Sequence, residues 1–407
     1  MPITNVAVVF GGVSVEHEVS VISALQAAAA MNRGRYRPVP VYVTKSGTWL
    51  TGEALLDLSL YKDLDAVDEA GIRVVPERTP DGRVHLVELH PKGFFAKPRM
   101  FPIDVAFLGL HGSEGENGSM QGLFETLNLP YTGSGVFGSA LGMDKAFSKM
   151  ICRDQGVPVV DFVQFKESEW AGREDDWLTT CEARLGYPMI VKPARLGSSI
   201  GISKADDRAE LDRSIEEAFR FDEKVVVEYA VRQLREVNCA VLGDPNEAIA
   251  SVVEEPVRSE GEELLSYEEK YQRGGGQGKQ SATKAPSGDA GMASLDRLIP
   301  APLSDERTVE VRELAVRVFQ AFECAGVARI DFMIDEATDQ LYFNEINTIP
   351  GSFSFYLWEP SGVPFDELTH RMIDTALRRH RDKNGRVRSY DTNLLSERSA
   401  GGLKGKG

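Results

Sequence analysis

The chain has only four cysteines, Cys152, Cys181, Cys239 and Cys324, and no two of them form a CxxC pair. That spacing argues against a zinc site and against a disulfide framework, so reduced thiols are expected. No uninterrupted run of 18 apolar residues occurs, which leaves no sequence signal for a membrane-spanning helix. The first residues lack a charged-then-apolar leader pattern, so a cytoplasmic protein with no membrane partner is expected. Surplus positive charge is missing too: 46 Lys and Arg stand against 62 Asp and Glu, a net charge of -16. A surface of that sign repels nucleic-acid phosphates, so nucleic acid is not expected as a partner. Any phosphate site must then be assembled from a few local lysines. Internal repeats are also absent.

What is present reads as a soluble globular protein. At 407 residues, 42% hydrophobic and 27% charged, the chain exceeds one simple core, and two or three domains are expected. NVAVVF (5–10) reads as a buried strand ended by Gly11-Gly12, with a helix through Ala30 and a second strand at 35–44. Residues 45–100 are turn-rich and read as an elaboration. DVAFLGLHG (104–112) is a further strand running into a polar Gly-rich loop. Ligands of open α/β sheets bind beyond the carboxyl ends of strands, where GGVSVEHE and LHGSEGENG both lie. Beyond residue 136 the pattern predicts a helix near 136–155 and strands at 187–194, 224–231 and 235–243. A low-complexity loop at 272–291 follows, then helices near 304–324 and 364–380. Residues 381–407 read as a disordered tail.

GVARIDFMID (326–335) and QLYFNEINT (340–348) alternate and flank a short turn, so they predict an antiparallel hairpin. Period two puts Arg329, Asp331 and Met333 on one face, and Phe343, Glu345 and Asn347 on one face of the partner strand. Two carboxylates and an amide oxygen suit a hard cation such as Mg²⁺. Arg329 beside them would stabilise charge on a transferring phosphoryl group. The bland alternative is a solvated strand face with incidental charges.

VKPARLGSSIG (191–201) is a strand followed by a loop containing Gly197, Ser198, Ser199 and Gly201. Its N–H groups could cradle phosphate, with Lys192 reaching in from the strand end, although the Walker A order is absent. Lys145 in MDKAFSK begins a helix and is a second candidate; alone, it reads as a surface lysine. Lys270-Tyr271 stands before the low-complexity loop, which could act as a lid. Glu16 could instead cap the first helix, and His111 could be a hydrogen-bonded structural residue.

Taken in order, GGVSVEHEVS, LHGSEGENGSMQG, PYTGSG, MDKAFSK, VKPARLGSSIGIS, EKY, RIDF and NEINTIPG resemble the D-alanine–D-alanine ligase family of ATP-grasp enzymes over residues 5–380. The resemblance implies an N-terminal α/β domain followed by a two-subdomain ATP-grasp fold. The expected limits are 1–135, 136–222 and 223–380, with a lid at 266–291. It implies ATP-dependent joining of two D-alanines through an acyl phosphate, for peptidoglycan synthesis, with ATP and two Mg²⁺ ions (or Mn²⁺) and a homodimer. By the same resemblance, Asp331, Glu345 and Asn347 hold metal. Lys145, Lys192, Ser199 and Lys270 contact the ATP phosphates, and Glu228 and Glu236 contact adenine and ribose. Glu16 holds the first substrate's ammonium, linked to Ser198 and Tyr271. His111 lies at that substrate's carboxylate, and Arg329 and the Gly351 N–H stabilise the tetrahedral intermediate. Tyr271, where other members carry a histidine, favours an amine acceptor over a hydroxy acid.

Two departures stand out. Asn117 replaces the aspartate more common in the family. After Gly351, SFSFYLWEPSG is several residues shorter than the family pattern, so the serine that binds the second substrate's carboxylate is missing or replaced by Ser352 or Ser354. A ligase with another acceptor, or a non-catalytic nucleotide-binding protein, are the competing readings.

Overall fold

The computed structural model describes residues 3–91, 93, 95–257 and 297–388. Its first sheet is built around β1 (Thr4–Gly11), β2 (Tyr36–Val43) and β7 (Val105–Leu108), which are parallel. Five residues of β1, Val6–Phe10, are 0 or 1% exposed, as expected for a parallel strand covered on both faces. β1 ends at Gly11 with φ +88°; a Cβ there would lie 2.2 Å from the Val43 carbonyl, so only glycine fits. The helix His17–Ala30 follows. The turn-rich region read as an elaboration extends this sheet. It adds β3 (Trp49–Thr51), β4 (Ile72–Arg78), β5 (Val84–Glu88) and β6 (Met100–Ile103), giving the order β6-β5-β4-β3-β2-β1-β7.

The helix expected near 136–155 is two helices, Val136–Met143 and Lys145–Asp154. Asp144 breaks the run: its backbone is extended and its carboxylate accepts from the Ala146 and Phe147 N–H groups at 3.0 Å each. Next comes a four-stranded sheet of order β10-β9-β11-β8, formed by β8 (Phe162–Lys166), β9 (Met189–Pro193), β10 (Ser203–Ala205) and β11 (Lys224–Tyr229). β11, which lies just past the boundary expected at 222/223, pairs with β8 and β9.

The third sheet has the order β14-β13-β12-β15-β16: β12 (Leu234–Gly243), β13 (Ala248–Pro256), β14 (Arg297–Leu298), β15 (Gly326–Asp335) and β16 (Gln340–Asn347). The helix Asp305–Ala321 covers its apolar face through Val311, Ala315, Val318 and Phe319. The last helix, Phe365–Asn384, runs past the expected end at 380 into the segment read as tail. It shares one hydrophobic core with the first sheet, and Phe353, Leu357 and Trp358 belong to that core. Lys270, Tyr271, the lid at 266–291 and the tail from 389 onward lie outside the described residues.

Candidate active site

β15 and β16 pair antiparallel with Asp331 opposite Glu345 and Arg329 opposite Asn347, the convergence that period two anticipates. One face differs from the expectation. The register slips between Asp331 and Phe332, so Phe332 faces Phe343 although Asp331 faces Glu345. Asn344 is the extra residue of this bulge. Phe343 therefore turns into the core, 0% exposed, instead of sharing a face with Glu345. The bulge lets Asn344 and Glu345, adjacent in sequence, both line the same cavity.

That cavity, about 670 Å³, lies between the last two sheets and the tip of the first. Arg329 grips Asp331 with both ends of its fork, Nε to Oδ1 and Nη2 to Oδ2 at 2.7 Å each, while Asn347 Nδ2 donates to Asp331 Oδ2 at 3.0 Å. Burial pushes the Asp331 carboxyl up, and the guanidinium works against it. Lys145 is only 7% exposed and is not a surface lysine. Its Nζ donates to the Leu196 carbonyl at 2.7 Å and lies 3.3 Å from Glu345 Oε2. Asp144, which caps the Lys145 helix, is itself held by Lys224 at 3.0 Å. Lys192 Nζ donates to Asn344 Oδ1 at 3.2 Å and pairs with Glu228 Oε2 at 2.8 Å. A second buried lysine, Lys149, pairs with the other oxygen of Glu228 at 3.3 Å. Burial alone would push Glu228 up, but the two ammonium groups outweigh it and hold the carboxyl below its usual range. Burial pulls the Lys149 ammonium down. Glu236 lines the same cavity, close enough to help raise Lys192.

Glu16 occupies the N-cap position of the first helix, yet its side chain makes no cap bond. Instead the Ser198 hydroxyl donates to Glu16 Oε1 across the cavity mouth. Ser198 and Ser199 both have left-handed backbone (φ 57° and 59°), a strained arrangement for non-glycine residues. Gly112 makes room for this contact: a Cβ there would lie 2.9 Å from Glu16 Oε2 and 2.2 Å from Ser14 Oγ. Glu116, from the GENG turn, accepts from the Gly112 N–H (2.9 Å) and the Ile349 N–H (3.1 Å), tying the first domain to the end of β16. Burial and then the nearby Glu16 raise its carboxyl to about 8.

His111, Gly351, Ser352 and Ser354 do not line the cavity. His111 is buried, hydrogen-bonded to the Ile349 main chain, and desolvation lowers its pKa to about 4. Its Nε2 is buried and has no hydrogen-bond partner among the described residues. Ser352 and Ser354, expected at an acceptor carboxylate, are 0% exposed, and the Ser352 N–H donates to Ser23 Oγ of the first helix at 2.9 Å. The structure thus gives these two serines a place in the seam between domains.

Several residues here escaped the sequence reading. Lys149 was legible, four residues after Lys145 on the same helix face. Asn344 was not, because period two cannot foresee a bulge. Asn238, Glu254 and Arg297 come from three different strands. Pairing places Asn238 between Asp331 and Glu254, so a polar row crosses the sheet from Glu345 to Glu254, and Arg297, opposite Pro256, reaches Glu254 through its side chain. Among the described residues no group of three or more His, Cys, Asp or Glu converges as a metal site. Carboxylates and an amide oxygen such as those of Asp331, Glu345 and Asn347 are hard donors, a chemistry that suits Mg²⁺ or Mn²⁺ rather than zinc.

The chain matches the family models described as D-ala D-ala ligase N-terminus, over residues 5–134, and D-ala D-ala ligase C-terminus, over residues 151–374. It belongs to the D-alanine–D-alanine ligase family. A D-alanine–D-alanine ligase of Thermosipho africanus is 38% identical over 391 residues, covering 96% of this chain and 98% of that protein. One from Caldicellulosiruptor bescii is 39% identical over 386 residues, covering 93% and 96%. Among solved structures, the VanG D-Ala:D-Ser ligase of Enterococcus faecalis superposes with a TM-score of 0.75 at 30% identity, covering 92% of this chain and all of that one. The D-alanine-D-alanine ligase of Coxiella burnetii gives 0.73 at 26%, covering 95% and 97%. The ATP-grasp architecture expected for this family is the one observed. No helix among the described residues is long and apolar enough to cross a membrane.

Proposed function

We propose that this member of the family is an ATP-dependent carboxylate–amine ligase that joins two D-alanines into D-alanyl-D-alanine. The observation that carries the proposal is one cavity in which the Asp331–Glu345 pair, Arg329, Lys145 and Lys192 face the Glu16–Ser198 contact. A carboxylate is a poor acyl donor, so it must be activated before an amine can displace anything from it. Glu16 would hold the donor's ammonium, orienting its carboxylate toward the γ-phosphate that Lys145 and Lys192 position, with Ser199 in the same phosphate loop. A donor carboxylate oxygen attacks the γ-phosphorus and the bond to ADP breaks, giving an acyl phosphate. The deprotonated amine of the second D-alanine then attacks the acyl carbon. Arg329 would steady the oxyanion, and phosphate leaves with the electron pair of the broken C–O bond. Asp331, Glu345 and Asn347 would hold divalent cations, Mg²⁺ or Mn²⁺, which supply charge neutralisation to the phosphates. Glu228 and Glu236 are assigned to the nucleoside end, Glu228 through the Lys149–Glu228–Lys192 chain. A homodimer in the cytoplasm completes the reading; sedimentation equilibrium at the mass of two chains tests it.

Incubation with ATP, Mg²⁺ and D-alanine, followed by mass detection, tests the reaction. Dipeptide formed in step with ADP is expected; ADP release that does not depend on D-alanine would sink the proposal. The short segment after Gly351 and the likeness to a D-Ala:D-Ser ligase favour a second reading, in which another D-amino acid is the preferred acceptor. Competition between D-alanine and D-serine at equal concentration separates the two.

A further inference from the structure

By the family resemblance the serine expected at the acceptor's carboxylate is missing or replaced by Ser352 or Ser354, and both of these are buried away from the cavity, so another group on the cavity wall is needed. Arg297, on β14, lines the same cavity as Arg329 and is almost wholly buried, its side chain 6% exposed. Its Nη1 pairs with Glu254 Oε2 at 2.9 Å, and its guanidinium lies 4.0 Å from the centre of the Tyr356 ring. Tyr356 comes from the shortened segment itself. Its hydroxyl donates to Glu254 Oε1 at 3.4 Å, and Asn238 Nδ2 donates to the same oxygen at 3.1 Å. Arg297 and Arg329 thus both line this cavity. Stacking and the ion pair fix the plane of Arg297, which pre-organises it for a planar anion.

Resting on the ligase reading, we propose that Arg297 is the specificity-determining residue for the second substrate: it takes the carboxylate of the attacking amino acid, beside Arg329. Glu254, Asn238 and Tyr356 are positioning residues that hold the guanidinium in place. The assignment explains how a segment too short to carry the serine still serves a carboxylate-bearing acceptor: it contributes a ring on which an arginine is laid.

The test uses the full-length enzyme with ATP, Mg²⁺ and D-alanine, and two competing acceptors. One is D-alanine itself. The other is hydroxylamine, an amine with no carboxylate, which traps the same acyl phosphate as the hydroxamate. Arg297→Ala is expected to lower the ratio of dipeptide to hydroxamate on the order of 100-fold, through a raised KM for the second D-alanine. Arg297→Lys, which keeps charge but not the fork, should recover part of the ratio. D-alaninamide should be a poor acceptor for the wild type and lose that handicap in Arg297→Ala. An unchanged ratio overturns the proposal, whether both products fall together, as a folding defect would make them, or neither falls. If the wild type forms neither product, the ligase reading fails first, and the assignment of Arg297 goes with it.

Discussion

Glu345 faces Asp331 on the neighbouring strand and lies 3.3 Å from Lys145, so it links the carboxylate pair to the proposed phosphate end. Glu345→Ala should lower D-alanine-dependent ADP release by roughly 100-fold or more, since it removes a charged ligand whose partners remain buried. Full activity in a steady-state assay would end the metal assignment. His111 makes a pH prediction. Its pKa falls from 6.5 to about 4 on burial, so its contribution to stability is fully present above 6.5 and is lost as pH falls through 4. The loss should approach roughly 3 kcal/mol, read as the difference in acid sensitivity of urea unfolding between wild type and His111→Gln. The four cysteines are all buried, with thiols pushed up to about 12, so a disulfide-exchange reagent should label them only when the chain unfolds. Reduced thiols and the carboxylate pair were legible in the sequence because each rests on residue type and local spacing. Arg297 and Glu254 were not, because neither has a neighbour in sequence that hints at the other.

At the scale of single elements, the bulge at Asn344 and the turn after Gly351 carry most of what period counting missed. Asn344→Ala leaves Glu345 in place but removes the amide that steadies Lys192. It should raise KM for ATP by roughly 10-fold with little change in kcat, consistent with loss of one hydrogen bond to a charged group. An equal fall in kcat would instead mean that the bulge itself had collapsed. Ser352, Phe353 and Ser354 form three successive left-handed residues (φ 50°, 53° and 51°), each a strained conformation. Packing holds them: Phe353 sits 5.0 Å from the Phe107 ring, and Leu357 and Trp358 are fully buried. Ser354→Gly should therefore stabilise the protein by roughly 1 kcal/mol, seen as a higher urea midpoint at unchanged slope. The sequence showed that this segment is short. It could not show that the shortness is absorbed by a left-handed turn, which propensity assigns to glycine and not to serine or phenylalanine.

At the scale of the whole molecule, the site is assembled by three sheets and is held together by contacts distant in sequence. Glu116 reaches Ile349, Ser23 reaches Ser352, and Tyr36 meets His370 at 2.6 Å. The colinear motifs made the order of these parts readable. The seam between them was hidden because its members are polar or aromatic residues with no periodic pattern. In a protein of net charge -16 the cations for a phosphate site are supplied locally: Lys145, Lys149 and Lys192 converge on Glu228 and Glu345. What unites the three scales is activation of a carboxylate by phosphoryl transfer within this cavity. Its most direct test uses D-alanine carrying ¹⁸O in its carboxylate. Phosphate recovered with ¹⁸O in step with dipeptide is the expected result, because the acyl phosphate breaks at the carbon–oxygen bond. Dipeptide accompanied by unlabelled phosphate would contradict it.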